Sequence, residues 1–251
     1  MDKEFDKQCN PRMGFCLEHN RFVPVELLDV AGLVQGAHEG RGLGNKFLDD
    51  LRQADVLIHI IDASGSTNEN GESVPALSYD PCNDVKFLEY ELDMWILQLI
   101  QKGWDKFVRQ QSVEKLELHK AIAKQLSGLG VTEEIAEKVL KNFSLDVKQW
   151  SENELLVLAK ELRKITKPMI IAANKIDIKG AEKNIEKLKK SFPDYVIIPC
   201  SADSELALRE AAKSNLIEYI PGDKDFKVLG KINEKQKSAL EFIQKNVLDK
   251  F

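Results

Sequence analysis

Three short polar motifs each follow an apolar run that is long enough for a β-strand. They are Asp29-Val30-Ala31-Gly32 after the run 25–28, Asn174-Lys175-Ile176-Asp177 after the run 168–173, and Ser201-Ala202 after the run 195–200. In open α/β sheets, ligands bind outside the carboxyl ends of the strands. The order and context of the three motifs therefore predict one ligand site at the edge of a sheet.

The first motif has the chemistry of a phosphate–magnesium site. Asp29 is expected to hold a hydrated Mg²⁺, and the N–H of Gly32 can point at a phosphate oxygen. Five of the 14 glycines fall between positions 32 and 44, and glycine lets the backbone approach a ligand closely. Taken alone, so short a motif also fits a long surface turn after a buried strand, so the assignment depends on the other two motifs.

Together the three motifs resemble the guanine-nucleotide-binding domain of the translation-factor-like GTPases. The longer string DVAGLVQGAHEGRGLGNKFL, from Asp29 to Leu48, is similar to the Obg-related GTPases of the YchF and Ola type, and the resemblance covers essentially the whole chain. It implies an α/β fold, a Ras-like P-loop NTPase three-layer sheet with an inserted α-helical arm. It also implies a GTP-binding, GTP-hydrolysing switch protein that uses Mg²⁺ and is associated with the ribosome and translation.

The resemblance implies roles for the residues around a guanine base. On this basis Asp177 accepts hydrogen bonds from N1–H and the exocyclic amine, Asn174 faces N7, and the backbone N–H of Ala202 faces O6. The stem of Lys175 packs along the base, and Ser201 belongs to the same nucleotide-binding set. Adenine presents no such donor pair, and some members of the family that have lost N-K-x-D prefer ATP. Because the motif is intact here, we expect GTP.

Leu33 follows the first motif, at the position where Ras-like switches carry a glutamine that orients the attacking water. Leucine cannot orient water, so hydrolysis is expected to be slow or to use another group. His38 is the nearest candidate, because it lies on the glycine-rich loop and titrates near neutral pH, and the resemblance also indicates it. The alternative is a solvated loop histidine, and Gln35 is a weaker candidate for the catalytic role.

The phosphate-binding loop of the family, G-x-x-x-x-G-K-[ST], does not occur in the sequence. The family has that loop near its N-terminus and usually ends in a small β-rich domain, so we interpret the chain as an internal portion of a longer GTPase. Such a portion is expected to bind nucleotide weakly by itself. Two other functions stay open: a nucleotide-independent module that binds ribosome, RNA or protein, and a degenerate GTPase whose motifs persist as structure.

Composition narrows the class of protein. The chain has 251 residues, is 43% hydrophobic and carries a formal net charge of −5, so it can bury a full core and lacks the bulk basic character of many nucleic-acid-binding proteins. Its four cysteines form no C-x-x-C pair, which fits reduced thiols in a cytoplasmic protein. No apolar run approaches about 18 residues, so no membrane span is predicted.

Hydrophobic periodicity predicts the elements that position the motifs. We predict a hairpin within 14–28, a helix over 45–54, a strand over Val56–Ile61 buried on both faces, a loop over 62–79 and a helix that begins at Asp80-Pro81. Within the strand, His59 is interpreted as a core histidine with satisfied hydrogen bonds. Two further helices are predicted over Glu205–Ile220 and 233–248.

The distance between Asp29 and Asn174 is too large for a minimal nucleotide domain, because one βαβ unit needs only about 30 residues. The extra residues are predicted as helices, over Val113–Leu126, Glu133–Leu140 and Glu152–Arg163, with caps at Thr132 and Ser151. We therefore predict a discontinuous guanine-nucleotide-binding domain, residues 1–97 plus 167–251, and a helical insertion, residues 98–166. Lys102, Lys106 and Arg109 on the insertion are either an ordinary solvated face or a docking surface for ribosome or RNA.

Overall fold

The computed structural model describes residues 10–17, 20–30, 36, 38, 50–114, 117–144 and 146–251. The chain divides into two compact units, Val30–Ser201 and the pair of segments Met1–Asp29 and Ala202–Phe251. In the described residues the strands are β1 (Phe15–Leu17), β2 (Asn20–Phe22), β3 (Leu57–Asp62), β4 (Met169–Asn174), β5 (Val196–Pro199), β6 (Ile217–Glu218) and β7 (Lys227–Val228). The main helices there are α1 (Cys82–Gln101), α2 (Trp104–Glu114), α3 (Leu118–Gln125), α4 (Glu133–Leu140), α5 (Glu152–Thr166), α6 (Ala181–Ser191), α7 (Ala202–Lys213) and α8 (Glu234–Ile243).

The unit Val30–Ser201 contains a parallel sheet with the strand order β3-β4-β5. The pairing aligns Asp62, the last residue of β3, with Asn174, the last residue of β4, and it aligns Ala173 with Pro199 of β5. Helices α1 to α5 lie between β3 and β4 in sequence, and α6 lies between β4 and β5. The predicted α/β fold is confirmed, and so are the strands before the second and third motifs.

One face of this sheet is covered by helices. Leu57, Ile61, Ile171 and Ala173 point to this face and are buried, as the alternation of side chains along a strand requires. Helix α1 contacts β3, α6 contacts β5, and the two helices contact each other, which puts them on the same face. Burial of this apolar surface is the main stabilisation of the sheet, at roughly 25 cal/mol per Å² removed from water.

The opposite face of the sheet is exposed, which corrects the prediction that β3 is buried on both faces. Ile58 is 55% exposed and Ile60 is 67% exposed, and on β5 Val196 and Ile198 are exposed as well. The continuous apolar run of β3 is typical of a parallel strand with helices on both faces, which is why its sequence predicts burial on both sides. In the described part of this unit, no helix covers the face that Ile58 and Ile60 share.

The helical insertion is present, with different helix boundaries. The predicted single helix Val113–Leu126 is wrong, because α2 begins at Trp104 and α3 begins at Leu118. The Nε2 group of Gln125 donates to the carbonyl oxygen of Ile100, 3.0 Å away, so a side chain of α3 satisfies the end of α1. Helix α4 has the predicted bounds.

No helix in the described ranges has both the length and the apolar character needed to cross a membrane.

The predicted caps of the insertion are confirmed. The Thr132 hydroxyl accepts a hydrogen bond from the N–H of Ile135 at 3.2 Å, and Ser151 and Glu154 form a reciprocal capping box at the start of α5. The three basic residues of the predicted docking face, Lys102, Lys106 and Arg109, are all exposed. Their assignment to a ribosomal or RNA partner stays a prediction, as does the division of the chain at residues 97 and 167.

A buried ionic cluster joins α1, α5 and the residue before β5. The Arg163 side chain is only 3% exposed, and its Nε donates to Asp93 at 2.6 Å. Its two terminal nitrogens donate to the Tyr195 hydroxyl at 2.9 Å and to Glu89 at 3.0 Å. Burial and the bond from the Tyr195 hydroxyl to Glu89 raise the pKa of Tyr195 to about 12, so the tyrosine stays protonated and serves as a donor.

The other unit contains the ends of the described chain. Strands β1 and β2 form an antiparallel hairpin with Phe15 opposite Phe22, which is shorter than the predicted hairpin over 14–28. The predicted helix Glu205–Ile220 is also wrong in extent, because α7 runs from Ala202 to Lys213 and Ile217 lies in β6, which pairs with β7. Leu208 and Ile217 share one apolar core with residues of α8, so tertiary packing has converted the end of the predicted helix into a strand.

The run 25–28, predicted as the strand that ends at Asp29, lies within residues 23–30, which have no regular secondary structure. Val25 is 84% exposed and Leu27 is 77% exposed, so the apolar run is not part of a core. None of the described strands pairs with this segment. An apolar run needs a neighbouring strand to satisfy its backbone N–H and C=O groups, and this is the physical reason for the correction.

Candidate functional site

The carboxyl ends of β3, β4 and β5 are tied together by backbone hydrogen bonds. The N–H of Ala63 donates to the carbonyl of Asn174 at 2.9 Å, and the N–H of Ile176 donates to the carbonyl of Cys200 at 3.3 Å. The second motif therefore leaves β4 beside Ser201, which follows β5. This is the edge of the sheet at which the sequence predicts a ligand site.

Asp177 and Ser201 are brought into direct contact at this edge. The Ser201 hydroxyl donates to Oδ1 of Asp177 at 2.7 Å, and Ser201 is only 5% exposed. The bond fixes the orientation of the Asp177 carboxylate. Because a carboxylate has about four acceptor positions, one bond from Ser201 leaves capacity for two further donors.

Lys175 has an unusual backbone conformation and forms an ion pair with Asp62. Its backbone has φ 63°, in the left-handed region that side chains other than glycine rarely adopt. Its ammonium donates to Oδ2 of Asp62 at 2.8 Å and lies 3.2 Å from the hydroxyl of Thr67. The ion pair joins the end of β3 to the second motif.

Three hydroxyl groups complete the surroundings of Asp62. Ser64, Ser66 and Thr67 all donate to its carboxylate. Partial burial opposes ionisation of Asp62, but the hydrogen bonds from Lys175 and the three hydroxyls outweigh it and hold the pKa well below its usual range. Asp62 is therefore a fixed negative charge that pairs with the lysine of the second motif.

The predicted loop after β3 is confirmed, and it has a defined conformation. Gly65 has φ +59°, and a Cβ atom there would lie 2.3 Å from the carbonyl oxygen of Tyr79. Only glycine fits this close approach. Asn184 of α6 donates to the carbonyl of Ala63 at 2.8 Å. These contacts hold residues 64–67 around Asp62.

His38, the predicted catalytic residue, lies against α1. Its Nδ1 is 2.6 Å from Oε2 of Glu91, and its ring meets the Tyr90 ring edge-on with 5.7 Å between centroids. The side chain of His38 is only 7% exposed. The alternative reading, a solvated loop histidine, is therefore wrong for this structure.

The phosphate side of the predicted site has less structural support. Asp29 is exposed in the irregular segment 23–30, while Gly32, Leu33 and Gln35 lie outside the described residues. Among the residues that the structure describes, no group of three His, Cys, Asp or Glu side chains is placed to hold a metal ion. Magnesium at such sites takes one or two carboxylates and completes its shell with phosphate oxygens and water. Asp29 alone does not form a magnesium site.

Two residues of this region were missed by the sequence analysis, although both left a signal. Asp62 ends an apolar strand, as Asn174 does, and is followed by Ser64, Ser66 and Thr67. Glu91 interrupts the apolar stripe of α1 at a buried position. A charged residue at a core position is rarely buried unless it is paired, so a partner was to be expected.

Two family models match separate parts of the chain. Residues 11–88 match the 50S ribosome-binding GTPase family, and residues 172–251 match the G4 motif-containing domain of the Obg-like GTPase YGR210-like family. The second match includes Asn174–Asp177 and Ser201, which form the best-defined part of the candidate site. The first includes Asp29, His38 and Asp62.

Similar proteins have matching descriptions. An uncharacterized GTP-binding protein of Methanocaldococcus jannaschii is 50% identical over 99% of this chain, which spans 62% of that protein. Obg-like ATPase 1 of Homo sapiens is 30% identical over 86% of this chain and 55% of its own length. The crystal structure of a GTP binding protein from Pyrococcus horikoshii has a TM-score of 0.71 and 37% identity, covering 97% of this chain and 67% of that one. The chain thus spans less than two thirds of the length of the Methanocaldococcus and human proteins. It belongs to the Obg-related, YchF/Ola-type family of GTP-binding proteins.

Proposed function

We propose that the chain carries the guanine-recognition site of a GTP-binding and GTP-hydrolysing switch protein. The observation that carries the proposal is the arrangement at the carboxyl edge of the sheet. Ser201 orients the Asp177 carboxylate, and Asp62 orients Lys175. Two of the three residues that the N-K-x-D motif contributes to a base in this family, Lys175 and Asp177, are thus oriented by partners within the chain, which lowers the entropy cost of binding.

The hydrogen-bonding groups of this edge match guanine. Asp177 accepts from N1–H and the exocyclic amine, while Asn174 and the backbone N–H of Ala202 face the acceptors N7 and O6. Adenine presents no donor pair to Asp177. A site built on such bonds rejects a ligand that leaves its polar groups unpaired, and this favours GTP and GDP over ATP.

The phosphate and hydrolysis steps belong to the same proposal. Asp29 contributes one carboxylate to Mg²⁺ through water, and Gly32 donates its N–H to a phosphate oxygen. His38 assists hydrolysis in place of the glutamine that Leu33 replaces. Magnesium would shield the phosphate charge; binding of the base by Asp177 does not depend on the metal.

The partner in this proposal is the ribosome. The name of the family matched by residues 11–88 supports it, as do the exposed Lys102, Lys106 and Arg109 on the helical insertion. Basic side chains of this kind bind phosphate backbones with a strong dependence on salt. The second candidate function is a ribosome- or RNA-binding module that needs no nucleotide, and the exposed basic residues are equally compatible with it.

Competition binding tests the base specificity. Because this chain is expected to bind nucleotide weakly by itself, GTP, ATP and XTP are titrated up to millimolar concentration against a fluorescent guanine nucleotide, and the wild type is compared with Asp177→Asn. Each charged hydrogen bond contributes about 1.5–3 kcal/mol, so GTP should compete about 10- to 100-fold better than ATP. In Asp177→Asn the amide can donate to the oxo group of xanthine, so XTP should become the preferred competitor.

Asp194→Asn is the matched control, because Asp194 is exposed and lies outside the site. It should leave the order of the three nucleotides unchanged. If ATP competes as well as GTP with the wild type, the guanine assignment is wrong. If no nucleotide binds but the chain sediments with ribosomes in a salt-dependent way, the nucleotide-independent module replaces the proposal.

A further inference from the structure

Glu91 is a charged residue in the buried stripe of α1. It lies three residues after Leu88 and four before Trp95, both buried, so the helix turns its side chain to the interior. The Glu91 side chain is only 1% exposed. A carboxylate in such a place costs several kcal/mol unless hydrogen bonds replace its water.

Three donors from the glycine-rich loop supply those bonds. The N–H of Gly36 donates to Oε1 at 2.9 Å, and the N–H of His38 donates to Oε2 at 3.0 Å. The His38 ring adds its Nδ1 at 2.6 Å from Oε2. Gly36 and His38, the two described residues between positions 31 and 49, thus both donate hydrogen bonds to the Glu91 carboxylate of α1.

The charge state of Glu91 agrees with this geometry. Burial opposes ionisation, but the bonds from the backbone and ring of His38 and from the backbone of Gly36 outweigh it, and the pKa of Glu91 lies below its usual value. An ionised carboxylate can only accept hydrogen bonds. The Nδ1 atom of His38 must therefore carry a proton, whether the ring is neutral or charged.

We infer that Glu91 is a positioning residue that anchors Gly36 and His38 to α1 and fixes His38 with its proton on Nδ1. In the neutral ring Nε2 is then the basic nitrogen. Tyr90 limits rotation of the ring through its edge-on contact. The link to hydrolysis rests on the proposed function; the placement of Gly36, of His38 and of the Nδ1 proton does not.

This arrangement resembles the support that a carboxylate gives to a functional histidine in other sites, where it sets both ring orientation and tautomer. If Glu91 only stabilised the fold, its carboxylate would still need hydrogen bonds, but any donors would suffice. The ring of His38, the one histidine of the loop sequence, would not be required. The role is therefore distinguished by the protonation of His38 rather than by the stability of the fold.

NMR of the ¹⁵N-histidine-labelled chain without nucleotide measures that protonation directly. In the wild type, long-range ¹H–¹⁵N correlations should show the His38 proton on Nδ1. In Glu91→Gln the amide provides one acceptor oxygen for three donors, so the Nε2–H tautomer should become populated. Hydrogen exchange of the Gly36 and His38 amides should accelerate by about tenfold or more, because a lost charged hydrogen bond of 1.5–3 kcal/mol corresponds to at least that factor.

Glu89→Gln is the matched control, since Glu89 lies two residues away on α1 and pairs with Arg163 instead of the loop. It tests whether loss of an α1 carboxylate alone changes His38, and it should leave the His38 ring signals unchanged. Unchanged ring signals and exchange in Glu91→Gln would overturn the inference, as would the same change in Glu89→Gln. Because no nucleotide is present, failure of GTP binding would count against the proposed function and leave this result intact.

Discussion

The second motif and the first motif differ in how the chain holds them. At the carboxyl edge of the sheet, Lys175 is paired with Asp62 and Asp177 is paired with Ser201. In residues 23–30, which carry Asp29, the backbone is irregular and the apolar side chains are exposed. Yet both motifs have the same sequence pattern, an apolar run followed by a polar turn.

An apolar run becomes a strand only where a neighbouring strand pairs with its backbone. Strand β4 has β3 on one side and β5 on the other, so its backbone groups are paired and its side chains alternate between two faces. Residues 23–30 have no such neighbour among the described strands. Hydrophobic pattern sets what a segment is able to form, and pairing decides whether it forms.

Removal of Arg163 should destabilise the unit Val30–Ser201, which contains β4, more than any other substitution considered below. Arg163→Met should lower the free energy of unfolding by about 3–5 kcal/mol, because it leaves the buried Asp93 without its charge partner. It also removes the bond to Tyr195, next to β5. Urea unfolding followed by circular dichroism measures the loss.

Lys164→Met is the control, since Lys164 is exposed and pairs only with Glu161 on the helix surface in the described structure. Such pairs contribute about 0.3–0.5 kcal/mol, so the variant should unfold almost as the wild type does. A loss below about 1 kcal/mol in Arg163→Met would mean that the cluster contributes little to the order of this unit.

A second test uses pH, because β3 carries His59. Its Nδ1 is buried without a hydrogen-bond partner in the described residues, which corrects the expectation of a satisfied core histidine. Burial lowers the pKa of His59 to about 4. The unfolded chain, with a pKa near 6.5, binds a proton more readily than the folded chain, so stability is lost as pH falls from about 6.5 towards 4.

The expected loss from His59 between pH 7 and pH 5 is about 2 kcal/mol, since each pKa unit corresponds to 1.36 kcal/mol. The variant His59→Val cannot titrate and should lose less stability over the same range. His119→Val serves as control because His119 is partly exposed and lies in α3. If the wild type and His59→Val lose the same stability on acidification, His59 is not buried in the neutral form.

The elements that the sequence predicts correctly are those whose structure depends on local pattern. Strands β3, β4 and β5 and the capped helices α4 and α5 were predictable, because their apolar periodicity and cap residues act locally. The bounds of α2, α3 and α7 were not, because they depend on contacts between distant parts of the chain. Gln125 of α3 donates to the carbonyl of Ile100 in α1, and Ile217 lies in β6 and packs in one core with Leu208. Contacts of this kind are absent from any local pattern.

The candidate site follows the same division. Asn174, Asp177 and Ser201 were predictable as a set, because their motifs end adjacent strands. Asp62 and Glu91 were not assigned roles, because each acts through a residue more than 50 positions away. The roles of Asp29, Gly32 and Ala202 stay predictions.

A substitution in the irregular segment 23–30 should change the stability of the fold very little. Leu27 is 77% exposed, so Leu27→Ser should change the free energy of unfolding by no more than about 0.5 kcal/mol, as exposed substitutions usually do. Ile171→Ala in β4 removes a fully buried side chain and should cost about 2–5 kcal/mol. Parallel urea titrations of the two variants measure both values.

If residues 23–30 instead pair as a strand before Asp29, Leu27 is buried, and a serine there would cost at least the roughly 1.5–3 kcal/mol that burial of a leucine contributes. A loss of that size would show that the two motifs are held alike, and that Asp29 ends a true strand as Asn174 does.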